Sequence, residues 1–207
     1  EQGESVAIMG PSGSGKSTLL HCLSGVLVPD DGVVDFDGGP LSALNDRQRS
    51  HLRLSEFGFV FQDGQLLPEL PARENVALPL MLTGTSRRLA LAAADDMLGR
   101  IGLGELRGRR PGDMSGGQAQ RVAIARAMVG HPRVVFADEP SGALDQASGH
   151  EVMQLLTTTC RIAGAALVVV THDINVARWC SRLIEIRDGI VHADRRLSAA
   201  TTSGELR

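Results

Sequence analysis

The string GPSGSGKST at residues 10–18 most constrains what this chain can fold into. Three glycines and a proline in nine residues end any regular element. The string is nonetheless flanked by an apolar run, SVAIM at 5–9, and by Leu19, Leu20 and Leu23 at helical spacing. A buried strand, a tight turn and a helix must therefore succeed one another within residues 5–23. The chain's single lysine, Lys16, lies in that turn, against twenty arginines elsewhere. Arginine is a broad planar fork and lysine a compact charge on a flexible stem, so the one lysine stands where a fork would not fit.

The string matches GxxxxGK[ST] over Gly10, Pro11, Ser12, Gly13, Ser14, Gly15, Lys16, Ser17 and Thr18. In this pattern backbone amides wrap phosphates, the lysine reaches the outer ones, and the hydroxyl after it holds Mg²⁺. The helix that follows aims its unpaired amides and positive dipole end at the same place. The expected ligand is a nucleoside triphosphate with Mg²⁺.

Composition narrows the alternatives. A length of 207 residues suits one large domain or one domain with an inserted lobe, a two-lobed single unit being the expectation. A net charge of -3 gives no general attraction to nucleic acid, and the clusters Arg107, Arg109, Arg110 and Arg195, Arg196 read as solvated surface. With 3% aromatic residues and no tyrosine, base-stacking platforms are not expected, nor is nucleic acid as a partner. Cys22, Cys160 and Cys180 are odd in number and widely spaced, which reads as reduced packing residues. The longest apolar stretches, such as 76–82 and 165–170, fall short of a bilayer span, so any membrane-crossing element belongs to another polypeptide.

Along the chain, strands are predicted at 32–36, 57–61, 133–137 and 166–171. Helices are predicted at 45–54, 73–82, 86–101, 118–128 and 146–163. Residues 183–186 with Ile190 and Val191 suggest a closing hairpin around Asp188 and Gly189. Alternating strands and helices imply an α/β fold, a mostly parallel sheet covered on both faces. Prolines 68, 71, 79 and 111 punctuate a different region, read as a helical lobe at 63–112 inserted into a core of 1–62 and 113–192. Residues 193–207 are small and polar and read as a flexible tail.

Three further places carry chemistry. Asp138 and Glu139 end an apolar strand, which sets two carboxylates at the carboxyl edge of a parallel sheet, where ligands bind. The first suits Mg²⁺ and the second an attacking water, the division that phosphoryl transfer requires. His172 follows VVVT at the end of another strand, within reach of a γ-phosphate at the same edge. Ser115 precedes a strong helix as an N-cap, with Gly116, Gly117 and Gln118 opening a second amide-rich N-terminus.

Taken together these strings resemble the ATP-binding subunits of ABC transporters over nearly the whole length. GPSGSGKST is similar to Walker A, Gln62 to the Q-loop glutamine, MSGGQAQR at 114–121 to the signature, and VVFADEP at 134–140 to Walker B. SGALD at 141–145 resembles the D-loop and His172 the switch histidine. The resemblance implies a P-loop ATPase working as a head-to-tail dimer, with each ATP between Walker A of one subunit and Ser115, Gly116, Gly117 and Gln118 of the other. It implies that Lys16 and the loop amides hold the β and γ phosphates, and that Ser17, Gln62 and Asp138 order Mg²⁺. Glu139 would activate water, His172 would steady the γ-phosphate, and Asp145 would join the two sites across the interface.

Residues 59–80 resemble more narrowly the subfamily serving lipoprotein release, macrolide efflux, antimicrobial-peptide resistance and the cell-division ABC complex. A transmembrane permease docking near the Q-loop is then the implied partner, and the cytoplasmic face of the membrane the implied location. Two roles stay open: powering export or extraction, or acting as an ATP-dependent regulatory clamp without transport. Repair-type ABC ATPases are disfavoured because no heptad run interrupts the chain. Met114 replaces the family's usual leucine and Ala119 a common glutamine, both compatible with a helix and with function. Nine residues precede Gly10, whereas the family begins with strands carrying an aromatic that stacks on adenine. The expectation is an incomplete small antiparallel sheet without an evident adenine platform, either because the sequence is trimmed or because nucleotide binding is weakened.

Overall fold

The computed structural model describes residues 1–197. Apolar runs without alternation become central strands. β1 (Ser5–Met9) lies between two others in a six-stranded sheet, and its Ala7 and Ile8 are buried. The chain continues through α1 (Lys16–Leu23), the short strands β2 (Asp35–Phe36) and β3 (Gly39–Pro40), α2 (Asp46–Glu56) and β4 (Phe57–Phe61). There follow α3 (Ala72–Leu82), α4 (Arg87–Arg100), α5 (Gly116–Met128) and β5 (Val134–Asp138). α6 (Gln146–Ala163), β6 (Ala166–Thr171), α7 (Ile174–Ala177), β7 (Arg182–Arg187) and β8 (Ile190–Arg196) complete the described elements.

The strand order is β4-β5-β6-β1-β7-β8, parallel throughout except for β8, which returns antiparallel to β7. Register levels the carboxyl ends: Phe61 pairs with Asp138, Asp138 with Val170, and Met9 with Thr171. The loops leaving β4, β5, β6 and β1 therefore share one edge.

One face of the sheet buries Ile124, Met128, Val152, Met153 and Leu156 from α5 and α6. The other buries Leu20 of α1 with Ile8, Phe57 and Phe136. A third cluster joins Val76 of α3 and Ala90, Ala94 and Leu98 of α4 to Val122, Ala125 and Val129 of α5. Each fully buried Leu, Ile, Val or Met contributes about 1.5–3 kcal/mol. Because α5 supplies residues to both the first and third clusters, it is the element through which α3 and α4 are held to the sheet.

Several boundaries differ from the sequence reading for local reasons. α5 starts at Gly116, because Ser115 accepts a hydrogen bond from the Gln118 amide while the Gln118 side chain accepts one from Ser115. Asn45 and Gln48 cap α2 in the same way, and α2 runs to Glu56, directly into β4. The strand predicted at 32–36 shrinks to Asp35–Phe36, paired only with β3 through an Asp37–Gly38 turn in which both residues have positive φ. So short a ladder is marginal alone. Arg133 holds it, donating from both terminal guanidinium nitrogens to the Asp37 carboxylate at 2.9 Å and lying over the Phe36 ring. At the other end, β8 extends to Arg196, so residues 193–196 of the predicted tail form a strand, paired to β7 by Arg182 with Asp194 and by Arg195 with Glu185. The remainder of that tail, from 198, lies outside the described residues.

Candidate functional site

The turn after β1 is shaped by what cannot fit there. A Cβ on Gly10 would stand 2.1 Å from the Ile186 carbonyl oxygen and 2.7 Å from Ser14 Oγ, so only glycine lets the loop pass β7. Gly13 and Gly15 take positive φ of 80° and 89°, conformations in which a Cβ is strained, before α1 begins at Lys16. Lys16 is buried, its ammonium donating to the Pro11 carbonyl at 2.8 Å across the loop. Ser14 is buried too, and its hydroxyl has no hydrogen-bond partner among the described residues. A buried hydroxyl and a buried ammonium satisfied by one carbonyl make a cradle lacking acceptors, which phosphate oxygens would supply.

Beside it, Ser17 Oγ at the start of α1 donates to Asp138 Oδ1 at the end of β5, 3.3 Å away. Ser17, Gln62, Asp138 and Glu139 line one cleft of about 380 Å³. The Gln62 side chain lies against Gly142, where a Cβ would approach its amide to 3.3 Å. Among the described residues no cluster of three or more His, Cys, Asp or Glu forms a metal cage. One hydroxyl, one carboxylate and one amide fit Mg²⁺, which keeps waters and takes substrate phosphates instead of an all-protein shell.

Glu139 is the next residue after β5 and has φ 46°, a left-handed conformation rare for a side chain of its size. The backbone is pinned there: its amide donates to the Val170 carbonyl at 2.9 Å, and its own carbonyl accepts from Gly142 at 3.0 Å. The carboxylate receives Thr171 Oγ1 at 3.2 Å on one oxygen and meets His172 Nδ1 at 2.7 Å on the other. Thr171 was missed in the sequence, although its place at the end of β6, one residue before His172, was the available signal.

Ser115 and Gln118 satisfy each other in the α5 cap, and Gly116 and Gly117 let that helix end seat closely. A Cβ on Gly116 would come within 3.2 Å of Leu144, and one on Gly117 within 3.2 Å of Ser148. Asp145 caps α6, accepting from the Ala147 and Ser148 amides at 3.0 Å and from Ser148 Oγ at 2.7 Å. The Ser148 backbone and hydroxyl bonds hold its carboxyl below the usual range. The structure thus gathers Lys16, Ser17, Gln62, Asp138, Glu139 and His172 at one sheet edge, and sets Ser115–Gln118 against the Asp145 cap of α6.

A phosphate cradle after β1 and an acidic pair at the β5 exit, Asp138 and Glu139, define the class of P-loop nucleoside triphosphatases. A profile of the ABC transporter family matches residues 1–142. The chain is 46% identical over 193 residues, 93% of its length and 85% of the relative's, to the lipoprotein-releasing system ATP-binding protein LolD 2 of Caulobacter vibrioides. It superposes with TM-score 0.85 and 42% identity on a dimeric post-hydrolysis state of the ATP-binding cassette MJ0796 bound to ADP and Pi, covering 96% of this chain and 87% of that one. On cbiO1 of Clostridium perfringens, part of the ABC transporter complex cbiONQ, the TM-score is 0.85 at 31% identity, covering 95% and 78%. The chain belongs to the ABC transporter family, as an ATP-binding subunit that hydrolyses ATP.

Proposed function

We propose that this ATPase pairs with a second copy, or a related ATPase subunit, head to tail, and drives a membrane permease that extracts lipoproteins. The convergence of six side chains on one sheet edge carries the catalytic part of this reading. Lys16 and the amides of residues 10–18 hold the β and γ phosphates. Ser17, Gln62 and Asp138 hold Mg²⁺, which when bound neutralises charge on the phosphate oxygens. Glu139 accepts the proton of the attacking water, and His172, already in contact with that carboxylate, steadies the γ-phosphate. Ser115, Gly116, Gly117 and Gln118 present a helix N-terminus to the partner's ATP. Asp145, beside that helix end, lies where the two sites communicate.

The naming of a lipoprotein-releasing relative at 46% identity supports the cargo. Among the described residues no helix is long and apolar enough to cross a membrane, so this reading assigns the crossing to the permease. A groove of about 400 Å³ lined by Phe57, Phe59, Phe61, Pro79 and Arg126 supports a docking place for a permease helix, at the cytoplasmic face of the membrane.

The test is the assembled complex in proteoliposomes loaded with a lipidated protein. ATP-dependent release of that protein, abolished by Glu139→Gln with ATP still bound, is the expected result. Hydrolysis with no release would favour the regulatory clamp, and turnover surviving Glu139→Gln would overturn the assignment of the base.

A further inference from the structure

α5 carries one polar side chain in the midst of its apolar stripe. Gln120 is 2% exposed, two residues before Val122 and four before Ile124, both fully buried. Its amide nitrogen donates to the Phe61 carbonyl and to the Pro140 carbonyl, both at 2.7 Å. Phe61 ends β4 and immediately precedes Gln62. Pro140 immediately follows Glu139. The amide oxygen faces Gly64, where a Cβ would approach it to 3.2 Å. Six residues further along α5, Arg126 donates to the Gly64 and Gln65 carbonyls at 2.7 and 2.6 Å, fixing the loop beyond Gln62 to the same helix.

Two carbonyl oxygens converging on one point require a group with two protons and no negative charge, which is what a primary amide supplies. A methionine or leucine would fill the volume and leave the Pro140 carbonyl buried without that donor. Packing alone does not call for glutamine here, and burying its amide costs desolvation that only the two bonds offset. The side chain also sits on a helix that packs against β4, α3, α4 and α6. α5 begins at Ser115–Gln118, packs on the sheet through Ile124 and Met128, and packs on α3 and α4 through Val122 and Ala125.

We propose that Gln120 is a positioning residue for ATP hydrolysis: it sets the backbones next to Gln62 and Glu139 at a fixed distance from each other and from the helix that presents Ser115–Gln118. A displacement of α5 is thereby transmitted to both residues together, so the part of the site facing γ-phosphate and the part serving the partner's ATP move as one. This rests on the roles given above to Gln62 and Glu139. The P-loop is outside the linkage, since neither hydrogen bond touches residues 10–18.

The experiment uses the assembled complex with its membrane partner and compares Gln120→Met with the unaltered chain and with Glu139→Gln. Equilibrium ATP affinity and KM stay within about threefold in Gln120→Met, while kcat falls at least about tenfold, the equivalent of about 1.4 kcal/mol. Gln120→Leu, which also removes the NH₂ group and adds no charge, gives the same split and serves where the methionine variant does not fold. A folded variant with kcat within twofold of normal, or with kcat and affinity lost in parallel, overturns the proposal. So does failure of both variants to fold, which assigns Gln120 to stability alone. Turnover retained by Glu139→Gln counts against the assignment of the base, whereas an unsplit Gln120→Met counts against positioning by Gln120.

Discussion

The Glu139 carboxylate meets the His172 ring at 2.7 Å while the Glu139 backbone is held at φ 46°. A left-handed conformation costs about 1–2 kcal/mol for a residue with a Cβ. Here it aims the carboxylate across β6, where Thr171 and His172 both reach it. His172 is exposed on its other side, so the ring can turn from carboxylate to substrate without unpacking a core. The expected outcome for His172→Ala is a fall of roughly 10²-fold in single-turnover hydrolysis, the scale of a lost acid-base or orienting group. ATP affinity should change by less than about threefold, as read by equilibrium binding. Equal losses in both would place His172 in binding.

Lys16 lies across the loop from Pro11 and is buried with a single carbonyl partner. On the role proposed for it, replacing it removes a charge-assisted bond to phosphate, worth roughly 1.5–3 kcal/mol. Lys16→Ala should therefore weaken ATP binding by about 10- to 150-fold. Titration calorimetry with ATP under non-hydrolysing conditions checks this, and an unchanged Kd contradicts the placement of the ammonium at phosphate.

The meeting of the candidate residues at one sheet edge was legible in the sequence because most of them follow strand ends. An apolar run that stops at Asp138, or at Thr171 before His172, marks both a buried strand and the edge where ligands bind. The loop at 10–18 was legible for a steric reason that the structure makes plain at Gly10. What stayed hidden depends on contacts distant in sequence. Gln120 reads as one more helix former until Phe61 and Pro140 are seen beside it. The strand pairing of residues 193–196 was concealed by their polarity: an outer strand such as β8 can face solvent, and it is held by Arg182 and Arg195 through charge. The shortening of the predicted strand at 32–36 shows the converse, since Val33 is apolar yet two-thirds exposed.

The three thiols separate by environment. Cys160 and Cys180 are 2% and 4% exposed, and burial pushes both up to about 12, with the neighbouring Cys160 adding to the effect at Cys180. Cys22 on α1 is half-buried. Reactivity follows the thiolate and its access. Brief iodoacetamide treatment of the folded protein at pH 8 should modify Cys22 alone, with all three reacting after denaturation. Mass spectrometry of the peptides gives the answer, and early labelling of Cys160 would mean that α6 leaves the sheet readily.

Asp145 gives the pH dependence a definite sign. Its carboxyl is held below the usual aspartate value chiefly by the Ser148 amide, then by the Ser148 hydroxyl, with the Ala147 amide adding to them. A folded value depressed in this way contributes stability that is fully present above the unfolded pKa of about 3.9, and that is lost as pH falls through the folded value. The melting temperature of Asp145→Ala should thus lie below that of the unaltered chain by a constant margin from pH 7 to about pH 5, and the margin should close below about pH 4. Asp145→Asn, whose amide oxygen still accepts from the helix amides, should keep much of the cap without that acid step. The consequence reaches the site through Ser148, against which Gly117 packs so closely that a Cβ there would stand 3.2 Å away. An uncapped α6 loosens the seat of the helix end formed by Ser115–Gln118. Asp145→Ala should therefore lower turnover at pH 7 while Asp145→Asn lowers it less. A temperature margin that persists unchanged to pH 3 would show that the cap does not depend on the ionised carboxylate.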